Sequence, residues 1–266
     1  MDFPAMYSLI GKRAIACGST QGIGRACAVQ FAALGAAVTL VARNEEALQK
    51  VRDELSTGEG QEHQYLCCDF NEPDTLKEKV TRHLAETGPV HILLNNTGGP
   101  PPGPIAEAAP EAFLRAATMH LVCNQILTQA VLPGMKEAGY GRIINIISIS
   151  VKEPIKGLGV SNTARWAVAA WAKTLAGEVA RFGITVNNVL PGYTATSRLE
   201  SLTNVRAREA GISEEQYRER MFAEVPAGRL ASPEETAAAA AFLASPAASY
   251  INGINLPVDG GRCAAL

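Results

Sequence analysis

No run of apolar residues in this 266-residue chain reaches the roughly 18 that a bilayer-spanning helix requires. The first residues, Met1 to Ser8, carry neither a basic stretch nor an apolar segment of the secretory kind, so a cytoplasmic protein is expected. An excess of one charge is missing too. The 24 Lys and Arg against 26 Asp and Glu leave a net charge of −2, which argues against a nucleic-acid or anionic-membrane surface. Of the six cysteines, at 17, 27, 67, 68, 123 and 263, two form a vicinal pair, but no second pair exists to complete a zinc site. Side chains at 67 and 68 on a strand would point to opposite faces, so buried, reduced thiols are expected rather than a bridge or a metal site. Also absent are a Ser/Gly linker, a low-complexity tract and an internal repeat, which predicts a single domain over 1–266.

What the chain does have is an alternation of short β-rich apolar runs with helical periodicity. Strands are predicted at 13–17, 36–42, 63–68, 90–95, 142–147, 184–190 and 254–258. Helices are predicted at 22–34 with a stop at Gly35, at 45–55, from Pro73 onward, at 111–135 with a bend at Pro133-Gly134, at 160–181 and at 233–243. Strands separated by helices imply right-handed parallel crossovers, hence an α/β fold with one doubly wound sheet. The stretch Gly98 to Pro104 reads as a stiff loop at the carboxyl end of the fourth strand, the edge where open α/β sheets bind ligands.

The turn Gly18-Ser19-Thr20-Gln21-Gly22-Ile23-Gly24 follows a strand and opens a helix, the context a phosphate-binding loop requires. Glycine there lets main-chain N–H groups approach a pyrophosphate, although the spacing is GxxxGxG and the same glycines would also permit plain helix–strand packing. After the second strand, at Arg43-Asn44, no carboxylate is available to accept a ribose 2′-hydroxyl. Arg43 suits a 2′-phosphate and so favours NADP(H) over NAD(H), its alternative being a solvated helix-start residue. Glu45 and Glu46 lie within the next helix and are expected to face solvent.

Four further segments join the glycine turn in one order: Asn95-Asn96-Thr97-Gly98, Ile143 to Ser148, Asn187 to Gly192, and Asn252 to Gly261. Together they resemble the short-chain dehydrogenase/reductase family, with the flavour of the 3-oxoacyl-carrier-protein reductases, over nearly the whole chain. The resemblance implies a seven-stranded Rossmann-like sheet and an NAD(P)(H)-dependent oxidoreductase acting on a carbonyl or alcohol of a small-molecule or acyl substrate. It implies adenine contacts near Asp69 and Phe70, and ribose contacts from Asn96, Thr97 and Gly98. Pro191, Gly192, Thr194 and Thr196 would line the nicotinamide. It further implies a substrate lid at about 197–230, and a homotetramer or homodimer built on the helices at 111–135 and 160–181.

The family's acid/base set is serine, tyrosine, lysine and an asparagine on the preceding long helix. Ser148 fits the serine position, but Ser161, Arg165 and His120 stand where the tyrosine, lysine and asparagine belong, and Thr97 replaces a usual alanine. Ser161 and Arg165 keep the i,i+4 spacing, so they share a helix face. A serine hydroxyl is a far weaker acid than a phenol, and arginine does not deprotonate in a protein. The expected roles are therefore Ser148 polarising the oxygen, Arg165 holding the ribose, and His120 or Tyr193 supplying the proton. His120 could equally be a structural helix residue, and Tyr193 a packed loop residue. Lys152 and Lys156 read as surface charge. The alternative function is a cofactor-binding relative with impaired catalysis, acting as a sensor, scaffold or partner subunit.

Overall fold

The computed structural model describes residues 4–265. Seven strands form one parallel sheet: β1 (Arg13–Cys17), β2 (Ala37–Ala42), β3 (Gln64–Cys67), β4 (Ile92–Asn95), β5 (Gly141–Ile146), β6 (Ile184–Pro191) and β7 (Asn255–Val258). Their order across the sheet is β3-β2-β1-β4-β5-β6-β7. Nine α-helices are found among the described residues. They are α1 (Gly22–Ala33), α2 (Glu45–Glu54), α3 (Pro73–Thr87), α4 (Pro110–Ala117), α5 (Cys123–Glu137), α6 (Gly159–Val179), α7 (Ser197–Glu209), α8 (Glu214–Ala223) and α9 (Pro233–Ala244).

Burial on both faces explains why the central strands read as continuous apolar runs. Along β1, Ala14 and Ala16 enter the core beneath α1 and α9, whereas Ile15 and Cys17 enter the opposite core beneath α3, α5 and α6. The same alternation puts Ile92 and Leu94 of β4 on the first face and Leu93 on the second. Helix starts are set by local chemistry. The Asn44 side-chain oxygen Oδ1 accepts from Ala47 N–H at 3.0 Å to cap α2, and Ser232 and Glu235 form a reciprocal capping box on α9.

One expected element differs. The long helix predicted at 111–135 is divided by a π turn, Thr118–Val122, that separates α4 from α5, and α5 then runs through Pro133 to Glu137. A Cβ at Gly134 would lie 2.8 Å from Pro89 Cβ, so the glycine serves close packing of α5. The interruption falls instead around His120, where the extra residue of the π turn changes which side chains face the sheet.

Near the carboxyl edge of the sheet, a row of asparagines crosses four strands in register: Asn95 pairs with Asn145, Asn145 with Asn188 and Asn188 with Asn255. Each step is an amide hydrogen bond of 2.8 Å: Asn95 Nδ2 donates to Asn145 Oδ1, Asn145 Nδ2 to Asn188 Oδ1, and Asn188 Nδ2 to Asn255 Oδ1. Asn145 is fully buried, so its removal orphans a donor on one neighbour and an acceptor on the other. Asn145→Ala is expected to lower unfolding free energy by about 3 kcal/mol. Urea denaturation monitored by circular dichroism measures this; a loss below about 1 kcal/mol would show the row to be energetically idle.

Candidate active site

The site begins with a steric demand where β1 turns into α1. Gly18 and Gly22 adopt φ of +61° and +55°, backbone conformations that L side chains rarely tolerate. Asn96, just after β4, donates its amide to the carbonyls of Cys17 (3.2 Å) and Gly18 (3.4 Å), stitching the turn to the neighbouring strand. A Cβ on Gly18 would stand 2.5 Å from that amide, and one on Gly24 would overlap the Gly18 carbonyl. The loop therefore has to be bare at positions 18 and 24. It faces a cleft of about 1060 Å³ along the carboxyl ends of the central strands.

Of the residues singled out from sequence, Gly18, Thr20, Gln21, Gly22, Ile23, Arg43, Asp69, Phe70, Asn96, Thr97, Gly98, Ser148, Ser161, Arg165, Pro191, Gly192, Thr194 and Thr196 all line this one cleft. Asp69 accepts from the backbone N–H (2.9 Å) and side-chain amide (2.7 Å) of Asn71. These bonds, the backbone one first, hold its carboxyl below the usual range, helped by the charges of Arg43 and Arg115. Arg43 is exposed on the rim and forms no ion pair among the described residues. Thr196 accepts from Leu199 N–H at 3.3 Å and so caps α7.

Ser148 stands at the end of β5, where its Oγ accepts from Ser150 N–H at 3.1 Å and fixes the short helical turn that follows. Ser161 and Arg165 sit in the first two turns of α6. Arg165 donates through Nη1 to the Ile146 carbonyl at 2.7 Å, while its buried Nε has no partner. Burial, reinforced by the charge of Arg198, pushes its pKa down to about 10, so the guanidinium is still cationic near neutral pH.

Five residues singled out from the sequence do not line the cleft. Ser19 does not face the cleft: it is fully buried, and its Oγ accepts from Val41 N–H at 3.1 Å, tying the turn to β2. Gly24 is a packing glycine against Gly18, and the Asn44 side chain is consumed as the α2 cap. Tyr193 lies on an extended segment whose neighbours, Gly192 and Thr194, face the cleft, so alternation turns it the other way. Its hydroxyl donates to Glu224 (2.8 Å) and accepts from Arg262 (2.8 Å), and burial raises its pKa further from the range of a useful acid.

His120 is corrected as a proton donor. The π turn buries it behind Arg165, in a second cavity of about 10 Å³ that it shares with Asn95, Asn96 and Asn124. Desolvation first, then the Arg165 charge, pushes its pKa down to about 2, against an opposing backbone hydrogen bond at Gly98. The imidazole is neutral at any working pH. Asn95 Oδ1, His120 Nε2 and Arg165 Nε, all buried and without partners, belong to residues of this small cavity.

Sequence reasoning missed Gly99 and Arg198, which also line the cleft. The signal for Arg198 was its place two residues beyond Thr196, at the start of the segment expected as a substrate lid.

With fold and cleft established, the kinship is clear. Residues 18–262 match a family profile described as enoyl-(acyl carrier protein) reductase. The chain is 34% identical over 255 residues to the 3-oxoacyl-[acyl-carrier-protein] reductase of Vibrio cholerae, covering 96% of this chain and 98% of that one. It is 31% identical over 266 residues to gluconate 5-dehydrogenase of Gluconobacter oxydans, covering all of both. The crystal structure of L-sorbose reductase from Gluconobacter frateurii, complexed with NADPH and L-sorbose, superposes with a TM-score of 0.91 at 31% identity, over 98% of this chain and all of that one. The chain belongs to the short-chain dehydrogenase/reductase family.

The state of His120 sets a pH dependence. In the unfolded chain its imidazole takes up a proton below about pH 6.5, whereas the folded state resists protonation down to about 2. The unfolded state therefore gains protons as pH falls, and stability is lost through that window at up to about 1.4 kcal/mol per pH unit from this residue. His120→Asn is expected to remove that share of the slope between about pH 6 and 4. Urea unfolding of both proteins across the window checks it; identical slopes would mean that His120 is already protonated in the fold.

Proposed function

We propose that this chain is an oxidoreductase that uses NADP(H) in preference to NAD(H) to interconvert a carbonyl and an alcohol. The observation that carries the reading is the glycine-rich turn clamped by Asn96, opening on a cleft whose β2 rim offers Arg43 and no carboxylate. A dinucleotide fits such a turn: Gly18, Gly22 and Gly24 carry no side chain, and the turn stands at the amino end of α1, where a phosphate is favoured. Three relatives support the reaction class by name, as a 3-oxoacyl reductase, a gluconate dehydrogenase and a sorbose reductase bound to NADPH.

When bound, the nicotinamide supplies or accepts the hydride. The residues of this chain do the rest. Ser148, at the mouth of β5, donates a hydrogen bond to the substrate oxygen. Ser161 faces the same cleft from α6, one turn before Arg165. Arg165 stays cationic throughout, so it cannot transfer a proton and instead holds negative charge in the cleft. With His120 neutral and Tyr193 turned away, the proton that completes the alcohol comes from solvent admitted to the cleft. Helices α7 and α8 act as the substrate lid of a single-domain enzyme.

A cytoplasmic location suits the six free cysteines. A homodimer or homotetramer is supported by apolar side chains exposed along α4, the π turn and α6: Leu114, Val122 and Trp166. No described helix is long and apolar enough to cross a membrane.

Titration of the purified protein with NADPH and, in parallel, NADH, read by cofactor fluorescence, tests the cofactor reading. NADPH is expected to bind more tightly. Arg43→Ala should weaken NADPH by about tenfold while NADH changes by less than about twofold, the loss expected for one charge-assisted contact to phosphate. Equal affinities that Arg43→Ala leaves untouched would remove the preference.

A further inference from the structure

Two guanidinium groups in the cleft converge on a single unoccupied point, the place where residue 99 has no side chain. An ideal Cβ on Gly99 would lie 3.4 Å from Arg198 Nη2, 3.8 Å from Arg198 Nε and 3.8 Å from Arg165 Nη2. Neither arginine is paired with a carboxylate among the described residues. Each is held by one backbone carbonyl, Arg165 by Ile146 and Arg198 by Pro100, which fixes the groups and leaves donors of both directed into the cleft. The two charges repel: after burial, the Arg198 charge is the second cause that lowers the proton affinity of Arg165.

Two fixed cations without a counter-ion, beside a bare backbone, form a receptor for an anion. We propose that Arg165 and Arg198 together bind the carboxylate of the substrate, so that the enzyme acts on an oxo acid or a hydroxy acid. The inference rests on the oxidoreductase reading given above. A carboxylate has two coplanar oxygens, one for each guanidinium, and charge-assisted bonds of this kind are about twice as strong as neutral ones. The location agrees with a substrate group. Arg165 lies one turn of α6 beyond Ser161, and Arg198 opens α7, facing the loop that follows β4. The absence of a side chain at Gly99 is part of the receptor, because any carboxylate-bearing residue there would occupy it. Gly99 does not have a left-handed φ, and its Cβ position meets only ordinary contacts, so a larger residue is sterically tolerated.

The competing source of an anion is the cofactor's own phosphates, and the test separates the two. Levulinate and 4-oxocyclohexanecarboxylate, each with its methyl ester, are titrated by calorimetry into the protein saturated with NADPH. Each acid is expected to bind at least about tenfold more tightly than its ester. Arg198→Ala should reduce acid binding to the ester level while changing NADPH affinity by less than about twofold. Gly99→Asp, which places an internal carboxylate between the guanidiniums, should abolish the acid preference without lowering the melting temperature. Acid and ester binding equally, or no binding of either acid, overturns the proposal. So does an Arg198→Ala variant that loses NADPH as strongly as it loses the acid, since the pair would then serve cofactor phosphate. If wild-type protein fails to bind NADPH at all, the oxidoreductase reading falls. The same acid and ester titrations on the cofactor-free protein, with and without Arg198, then still decide the anion site.

Discussion

Everything in the site depends on one contact at the switch point of the sheet, where Asn96 holds the glycine turn. Strand β1 is flanked by β2 on one side and β4 on the other, so the chain leaves it in opposite directions and a crevice opens at its carboxyl end. Asn96 closes the floor of that crevice by binding the carbonyls of Cys17 and Gly18. The bond brings the amide so near that only glycine fits at 18 and 24. The bare loop, the aimed amino end of α1 and the start of the β4 loop all follow from that approach. The asparagine row from Asn95 to Asn255 extends the same logic, locking the strand ends that carry Ser148 and Pro191 into register.

On that rigid edge the electrostatics are unusual for hydride chemistry. Four arginines line the cleft, Arg43, Arg115, Arg165 and Arg198, beside the carboxyl groups of Asp69, Glu107 and Glu111, and the two residues expected as proton donors, His120 and Tyr193, do not line it. His120 is desolvated beside a fixed cation and stays neutral; Tyr193 is shared between Glu224 and Arg262 on the far side of its strand. The end of the cleft where Arg165 and Arg198 approach Gly99 is thus suited to negative charge.

The fold was legible because each buried strand is a short apolar run and because helical periodicity separates one run from the next, with side-chain caps at the starts of α2, α7, α8 and α9. The glycine turn of the cleft was legible for a similar reason: glycines at 18 and 22 and the asparagine at 96 are required by backbone geometry, which leaves a mark in sequence. Side-chain direction was not. Ser19 and Asn44 have the right position and the wrong orientation, since each spends its oxygen on the local backbone. The π turn at His120 escaped because the apolar periodicity of 111–135 continues across it. Alternation along the extended segment after β6 did contain the information that Tyr193 faces away from Gly192 and Thr194. The Arg165–Arg198 pair was invisible, because its members are joined only through the β4 loop and the empty side of Gly99.

The central claim is that this cleft transfers hydride without a phenol. Absorbance of NADPH at saturating concentration, followed against a panel of oxo acids and ketones with wild-type protein and with Ser148→Ala, tests it most directly. The account predicts cofactor-dependent turnover by the wild type and its loss, by two or more orders of magnitude, in Ser148→Ala. Tight, saturable NADPH binding with no hydride transfer to any member of the panel would contradict it, and would identify a cofactor-binding relative that has kept the cradle and lost the reaction.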